Sequence, residues 1–383
     1  MRMNKRCRWS IATVIVGLAV ATATATTVHA AQGYVQTNLI SNISGLAAQT
    51  DPSLRNPWGI AFFPGLSPFW VNNNGAGTSA LYFATGLPFP GLPFVTIPSA
   101  SSSSGGTPTG IVANVLVGVG AFQIPDPATT TTFGPALFIF ATEDGTIQAW
   151  NVNPPIPPGI PDPTHAVIVA DNSAGGAVYK GLAIGTNSSG QPLLYATNFR
   201  SGKIDVFDTN FHQVTLSGTF TDPKLQAGYA PFGIQNINGK LWVTYALQDA
   251  DKVDDVAKPA HGFVDVFDTD GNLVLRFAQH GHLNSPWGVA LAPPNFGTFS
   301  NDILIGNFGD GTINAYHPVS GHWLGTLSDV DGRPLVNDGL WALTFGGALN
   351  LSTPGDVSSS NTLYFSAGLN NEADGLFGSI QPD

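Results

Sequence analysis

The chain is poor in cysteine, glutamate and basic residues, and each shortage excludes something. A single cysteine, Cys7, occurs among 383 residues and lies in a basic N-terminal stretch. Disulfides, cysteine nucleophiles and thiolate metal centres are therefore ruled out for the body of the protein. Glu143 and Glu372 are the only glutamates, and Lys and Arg together number 14. The residues that favour exposed helices are thus scarce. With 25 acidic residues against those 14, the surface argues against nucleic acid and anionic membranes as partners. The apolar run at residues 11–20 is about half the length that spans a bilayer, which argues against a transmembrane anchor.

That run does fit a different segment. Arg2, Lys5, Arg6 and Arg8 precede it, and small residues ending in Val28-His29-Ala30 follow it. This order predicts a secretory signal peptide over residues 1–30, cleaved after Ala30, and a secreted or periplasmic product. Removing four basic residues takes the formal charge from −11 to about −15. What the mature chain has in abundance is glycine (45) and proline (29), with Thr, Ser, Asn and Asp. Many short strands joined by many turns are expected, in an all-β protein.

Residues 301–318, NDILIGNFGDGTINAYHP, read as two short strands around a polar turn, and similar phrases recur along the chain. Six units begin at Trp58-Gly59-Ile60, Thr109-Gly110-Ile111, Lys180-Gly181-Leu182, Phe232-Gly233-Ile234, Trp287-Gly288-Val289 and Trp341-Ala342-Leu343. Their spacing is roughly 50–70 residues, the excess over a usual blade period falling in Pro-, Ser- and Thr-rich insertions at 99–106, 125–134, 154–163 and 352–360. Each unit has three clear strands and a weaker fourth, such as 167–170, 214–220 or 273–277. Six four-stranded units predict a six-bladed β-propeller over residues 31–383. The sixth unit ends after three strands, and the orphan strand at residues 34–42 supplies its fourth, beside 376–380. The N-terminal strand is thus expected to close the ring.

In such a ring the loops between second and third strands open at the end where the innermost strands begin. One mouth should therefore collect Asn73, Glu143, Asn198, Gln248, Asn307 and Asn370, with the entry aromatics Trp58, Phe232, Trp287 and Trp341. Carboxamides with a carboxylate are the oxygen ligands that calcium prefers; the same residues are also ordinary turn formers. The tryptophans are read either as wedges between blades or as a binding platform. Asp249, Asp251, Asp254 and Asp255 form an acidic insertion, but Val253 and Asp254 break the EF-hand pattern. His280 and His282 lack a second pair for zinc. No G-x-S-x-G elbow, Walker loop or dinucleotide fingerprint occurs. The aspartates leave a glycosidase carboxylate pair open but unlocated.

The phrases NPWGIA from Asn56, LNSPWGVALAP from Leu283, GNFGDGTINAY from Gly306, DGLWALTFG from Asp338 and NTLYFSAG from Asn361 resemble NHL-type propeller repeats. With QDADKVDDVAKPAHGFVDVFD at 248–268, they resemble a family of secreted bacterial propeller proteins of uncharacterised function. The chain departs from that family at Lys258-Pro259-Ala260-His261, where glycines are usual. The resemblance implies fold and secretion but no reaction. A remoter similarity, to six-bladed lactonase-type hydrolases with calcium at the mouth, implies Glu143, Asn198, Asp249 and Asn307 as metal ligands. Fold alone does not transfer the activity.

Two functions follow as expectations. The first is an extracytoplasmic binding propeller, monomeric, using its loop-rich face for a glycan, peptide, protein or small molecule. The second is a calcium-dependent hydrolase or lyase acting at a central cation.

Overall fold

Six four-stranded antiparallel sheets surround one axis, and each starts with the strand that carries the recurring glycine or, in blade 6, Ala342. The computed structural model describes residues 33–126, 132–152, 155–156, 160–348 and 359–383. The signal-peptide reading of residues 1–30 and most of the insertion at 352–360 lie outside them. Residues 32–383 form a single unit. The innermost strands are Pro57–Ala61, Pro108–Ala113, Tyr179–Thr186, Tyr229–Ile237, Pro286–Leu291 and Leu340–Phe345. Each pairs with the next strand of its own blade, and in blades 1 to 5 the order within a blade follows the chain. Among the described residues no helix is long and apolar enough to cross a membrane.

The ring closes as the sequence suggests. Strand Tyr34–Ser41 runs antiparallel to Leu376–Pro382, from Tyr34 opposite Pro382 to Ser41 opposite Leu376. It is the fourth strand of blade 6, and a two-residue strand, Gln49–Thr50, adds a fifth outside it. Tyr34, Leu39 and Ile40 are buried by this pairing. An open ring would instead expose two unpaired edges.

The recurring glycine answers a crowding problem at the axis rather than a turn. A Cβ on Gly59 would lie 2.5 Å from the Thr109 carbonyl oxygen, and one on Gly288 the same distance from that of Trp341. Only a residue without a side chain lets neighbouring inner strands approach this closely. The same carbonyls are pinned by polar groups on the second strands. Asn72 donates to the Thr109 oxygen at 3.0 Å, Thr197 to that of Phe232 at 2.8 Å, and Ser366 to that of Trp58 across the closing seam. These buried bonds link blade to blade.

Two details differ from expectation. The fourth strand of blade 3 is only Gln213–Val214; beyond it the chain tucks Leu216 and Phe220 against the core, with Phe220 at φ 51°. Residues 98–105, expected as loop, form a small hairpin, Pro98–Ser99 with Ser102–Gly105.

Candidate functional site at one mouth of the channel

Register fixes which residues share an end. Pro57 pairs with Asn73, Tyr179 with Asn198, Tyr229 with Leu247, Pro286 with Asn307 and Leu340 with Ala367. The starts of the inner strands and the loops after the second strands therefore lie together.

The six positions before the recurring glycine, or before Ala342, converge on the axis. Trp58 and Trp341 stack at 3.4 Å between ring centroids, and Trp287 meets both edge-on at about 6 Å. Phe232 packs on Trp341 and Phe199, while half-buried Phe308 stacks on the outer side of Trp341 at 4.2 Å. The tryptophans are buried in one cluster. They plug the channel, neither wedging blades apart nor spreading as an open platform.

In blade 3 this position holds Lys180, a residue the sequence reading passed over. It is 1% exposed. Its ammonium lies 5.1 Å from the Trp58 ring and 5.8 Å from Phe199. It donates to Glu143 Oε1 and, at 3.3 Å, to Asp254. Burial pulls the lysine pKa down, but the charge and hydrogen bond of Glu143, with help from Asp254, leave it raised. A cation so placed is held by ion pairing and by aromatic faces together. The acidic insertion of blade 4 thus reaches over the axis. Neighbouring Asp255 has its carboxyl pushed up, chiefly by burial, with the Ser285 hydroxyl and the Lys180 charge opposing the rise.

The residues marked by the sequence are mostly engaged locally. The second carboxylate oxygen of Glu143 accepts from Asn74 at 2.7 Å. Asn198 Oδ1 accepts the Val178 and Ser201 N–H groups, and Asn307 Oδ1 accepts that of Asn284. Asp249 Oδ1 caps the Val253 N–H within its own loop. Gln248 donates to the Phe199 carbonyl oxygen at 2.5 Å, and Asn370 to Asp374 at 2.7 Å. Asn73 donates weakly to Thr78, while its Oδ1 is buried without a partner. Among the described residues no hydrogen bond joins any two of Glu143, Asn198, Asp249 and Asn307. Nor does any group of three His, Cys, Asp or Glu side chains there have metal-holding geometry. With an ammonium on Glu143 and main-chain donors on the other three, these residues do not fit a calcium ion.

Beside the plug lies an open cleft of about 520 Å³. Its walls include Phe308, Gly309, Asp310, Asp338, Asn370 and Glu372, from blades 5 and 6. Glu372 Oε2 accepts from Asn56 at 2.5 Å, and Asn56 Oδ1 in turn accepts the Trp341 indole N–H at 3.0 Å. Burial pushes the Glu372 carboxyl up, the Asn56 bond opposes it, and the Glu143 charge adds to the rise. Asn370, Asn371 and Glu372 all adopt left-handed φ, at 54°, 54° and 65°. Three such non-glycine residues in succession are strained backbone, held by the surrounding structure.

Towards the other end, the channel is narrowed by a ring of aliphatic side chains. A space of about 30 Å³ below the plug is ringed by Ile60, Ile111, Leu182, Ile234, Val289 and Leu343. It opens into a funnel of about 280 Å³ with both apolar and polar walls, including Phe62, Val112, Gln235, Asn236 and Thr344.

No protein-family model matches the chain. Its sequence is 33% identical to uncharacterized protein L690 of Acanthamoeba polyphaga mimivirus, over 90% of this chain and 85% of that protein. It is 31% identical to uncharacterized protein R648 of the same virus, over 90% and 79%. Both relatives are viral, whereas the sequence phrases resembled a bacterial family. Among solved structures, a glucose dehydrogenase superposes with TM-score 0.52 at 11% identity, over 91% of this chain and 100% of that one. A virginiamycin B lyase from Staphylococcus aureus with quinupristin gives 0.49 at 12%, over 91% and 99%. At 11% identity the glucose dehydrogenase match speaks for shared β-propeller architecture alone. The sequence matches go further, and the chain belongs to the same propeller family as the two mimivirus proteins.

Proposed function

We propose that this protein is an extracytoplasmic propeller that binds a ligand or partner through the loop-rich mouth and carries out no reaction there. The observation that supports this most directly is the open cleft beside a sealed axis. The channel is blocked by Trp58, Trp287 and Trp341, and Lys180 is neutralised by the chain's own carboxylates. The adjacent cleft, by contrast, combines an aromatic wall with polar groups, the usual make-up of a recognition site. Glycan and peptide arrays probed with the parent, Phe308→Ala and Val115→Asp test it. Binding should be lost with Phe308→Ala and kept with Val115→Asp, which alters the opposite end. The reverse pattern would move the site there.

Location outside the cytoplasm rests on the leader-like residues 1–30, and exported protein should begin near Ala31. The calcium-dependent hydrolase or lyase has less support, since Glu143, Asn198, Asp249 and Asn307 are engaged as described. Melting with calcium and with chelator decides between the readings. A site bound only in the folded state would add about 2.7 kcal/mol at a hundredfold excess over Kd, and such a rise would restore the metal reading.

A further inference from the structure

Blade 3 differs from the other five at its outer edge. In blades 1, 2, 4 and 6 the fourth strand reaches the start of the third. Thr96 lies opposite Thr78, Asp171 opposite Thr146, Gln279 opposite Phe263 and Ser41 opposite Leu376. In blade 5 the Leu327 N–H donates to the Ile313 carbonyl oxygen. In blade 3 the fourth strand pairs only with Val206 and Phe207, through Val214 and Gln213. Lys203, Ile204 and Asp205 pair inward with Asn198, Thr197 and Ala196, and among the described residues no strand pairs with them on the outside.

The segment that would continue the fourth strand is fastened elsewhere. The Gly218 N–H donates to the Asp270 carbonyl oxygen and the Phe220 N–H to that of Gly271, both at 2.9 Å. A Cβ on Gly218 would lie 2.2 Å from the Gly271 carbonyl carbon, so the two backbones meet directly. The chain thus crosses to the outer hairpin of blade 4. It leaves a slot of about 580 Å³ between residues 201–206 and 213–221. Ile204, Leu216 and Phe220 supply its apolar side. On the opposite face of the strand, Asp205 Oδ2 accepts from the Tyr179 hydroxyl and from Asn198 Nδ2, each at 2.9 Å. Both bonds fall on one oxygen, and Oδ1 is left uncommitted.

Strand geometry says what fits. Every second residue of a strand turns its main-chain groups to the same edge. The Asp208 N–H donates outward to the His212 carbonyl oxygen at 2.9 Å. Val206 and Ile204 therefore also face outward, and at Ile204 nothing is paired there. Such an edge is a template for an added strand. We propose that the slot receives the N-terminus of an extended polypeptide, which completes blade 3 as its fourth strand. Direction follows from the blade, because both pairs made by the third strand are antiparallel. The Val206–Val214 pair closes the slot at one end, and Ser201 and Gly202 line the other. An antiparallel guest begins at the closed end and leaves past Lys203. Its first residue lies opposite Asp205, where a free α-ammonium meets the uncommitted oxygen. Its second lies opposite Ile204, exchanges main-chain hydrogen bonds with it and turns an apolar side chain towards Leu216 and Phe220. Its third, opposite Lys203, favours a carboxylate. This site is separate from the mouth cleft and stands whether or not that cleft binds a ligand.

Calorimetric titration of the purified protein tests it with the pentapeptide Thr-Val-Glu-Gly-Ser. Two modified forms serve as further probes, one N-acetylated and one carrying N-methylvaline at its second position. The free peptide should bind. Acetylation should weaken binding about tenfold or more, and N-methylation, which removes the donor to the Ile204 carbonyl oxygen, about as much. Ile204→Pro removes one outward N–H at an edge, where proline is tolerated, and should abolish binding. A melting curve checks its folding, and Leu216→Ser takes its place if it unfolds. Hydrogen exchange at the Ile204 amide of the parent should slow when the peptide is bound. A free peptide that does not bind, equal binding of either modified form, binding kept by the folded slot variant, or unchanged exchange at Ile204 overturns the inference. Binding lost with Phe308→Ala but kept with the slot variant also overturns it and assigns the peptide to the mouth.

Discussion

The six positions before the recurring glycine or Ala342 hold Trp58, Thr109, Lys180, Phe232, Trp287 and Trp341, whereas the six after it hold Ile60, Ile111, Leu182, Ile234, Val289 and Leu343. A step of two residues along each inner strand thus separates a varied end of the channel from a uniform one. The uniform set lines a small apolar space and does the same job in every blade. The varied set builds one asymmetric constellation, with stacked indoles on one side and a neutralised lysine on the other. Within this chain, repetition marks the scaffold, and departure from repetition marks the end where individual chemistry has been built.

The largest expected effect comes from removing the distinction altogether. Deleting residues 33–45 opens the ring and exposes Tyr34's, Leu39's and Ile40's neighbours; losing that burial costs about 5 kcal/mol or more. Calorimetry should show a melting temperature lowered by about 10 °C or more, and an unchanged melt would refute the closure scheme. Next comes the varied end. Lys180→Met leaves Glu143 beside buried apolar groups without its cation and should cost about 3–5 kcal/mol in denaturant unfolding. Adding Glu143→Gln should recover part of the loss; no recovery would mean that the pair does not act together. At the uniform end, Ile234→Val should cost only about 1 kcal/mol and leave ligand binding at the mouth intact. A change in that binding would show that the two ends are coupled.

The smallest effect is a pH slope. Glu372 has its carboxyl raised in the folded state from an ordinary value of 4.5, so folding favours the protonated form. Its contribution to stability is complete below pH 4.5 and is lost as pH rises through the raised value. Relative to Glu372→Gln, the parent should therefore lose melting temperature as pH increases from 4.5. A parent that gains on the variant over that interval would contradict the burial of this carboxyl.

Much of the ring was legible because a repeat states itself several times. Gly59, Gly110, Gly181, Gly233 and Gly288, with Ala342 in the sixth slot, set the blade count, and the unpaired strand at residues 34–42 matched the strand missing from blade 6. The reason for the glycines was not legible, because the crowding carbonyls belong to the next blade, 50 or so residues away. Lys180 was missed although a signal was present: a lysine occupies the slot that elsewhere holds Trp, Phe or Thr. The acidic insertion was noticed, yet its Asp254 meets a partner 74 residues distant, a separation that no local pattern encodes. Asn370 was chosen for its loop position, while neighbouring Glu372 was passed over because its bond to Asn56 joins blade 6 to the entry of blade 1.

The seam between those two blades has a consequence in time. Trp58 comes from the first blade to be synthesised and Trp341 from the last, and they stack on each other over the axis. The closing strand likewise pairs residues near opposite ends of the chain. A growing chain can therefore complete neither the plug nor the ring until its final strand has emerged, since contacts so distant in sequence form late. An arc of five blades is not five-sixths of a ring. Its lysine pocket lacks the indole stack beside it, its cleft lacks one wall, and its sheet edges stand open. Completion of the mouth and topological closure are thus reached in the same step, which leaves a truncated product with no partly built mouth.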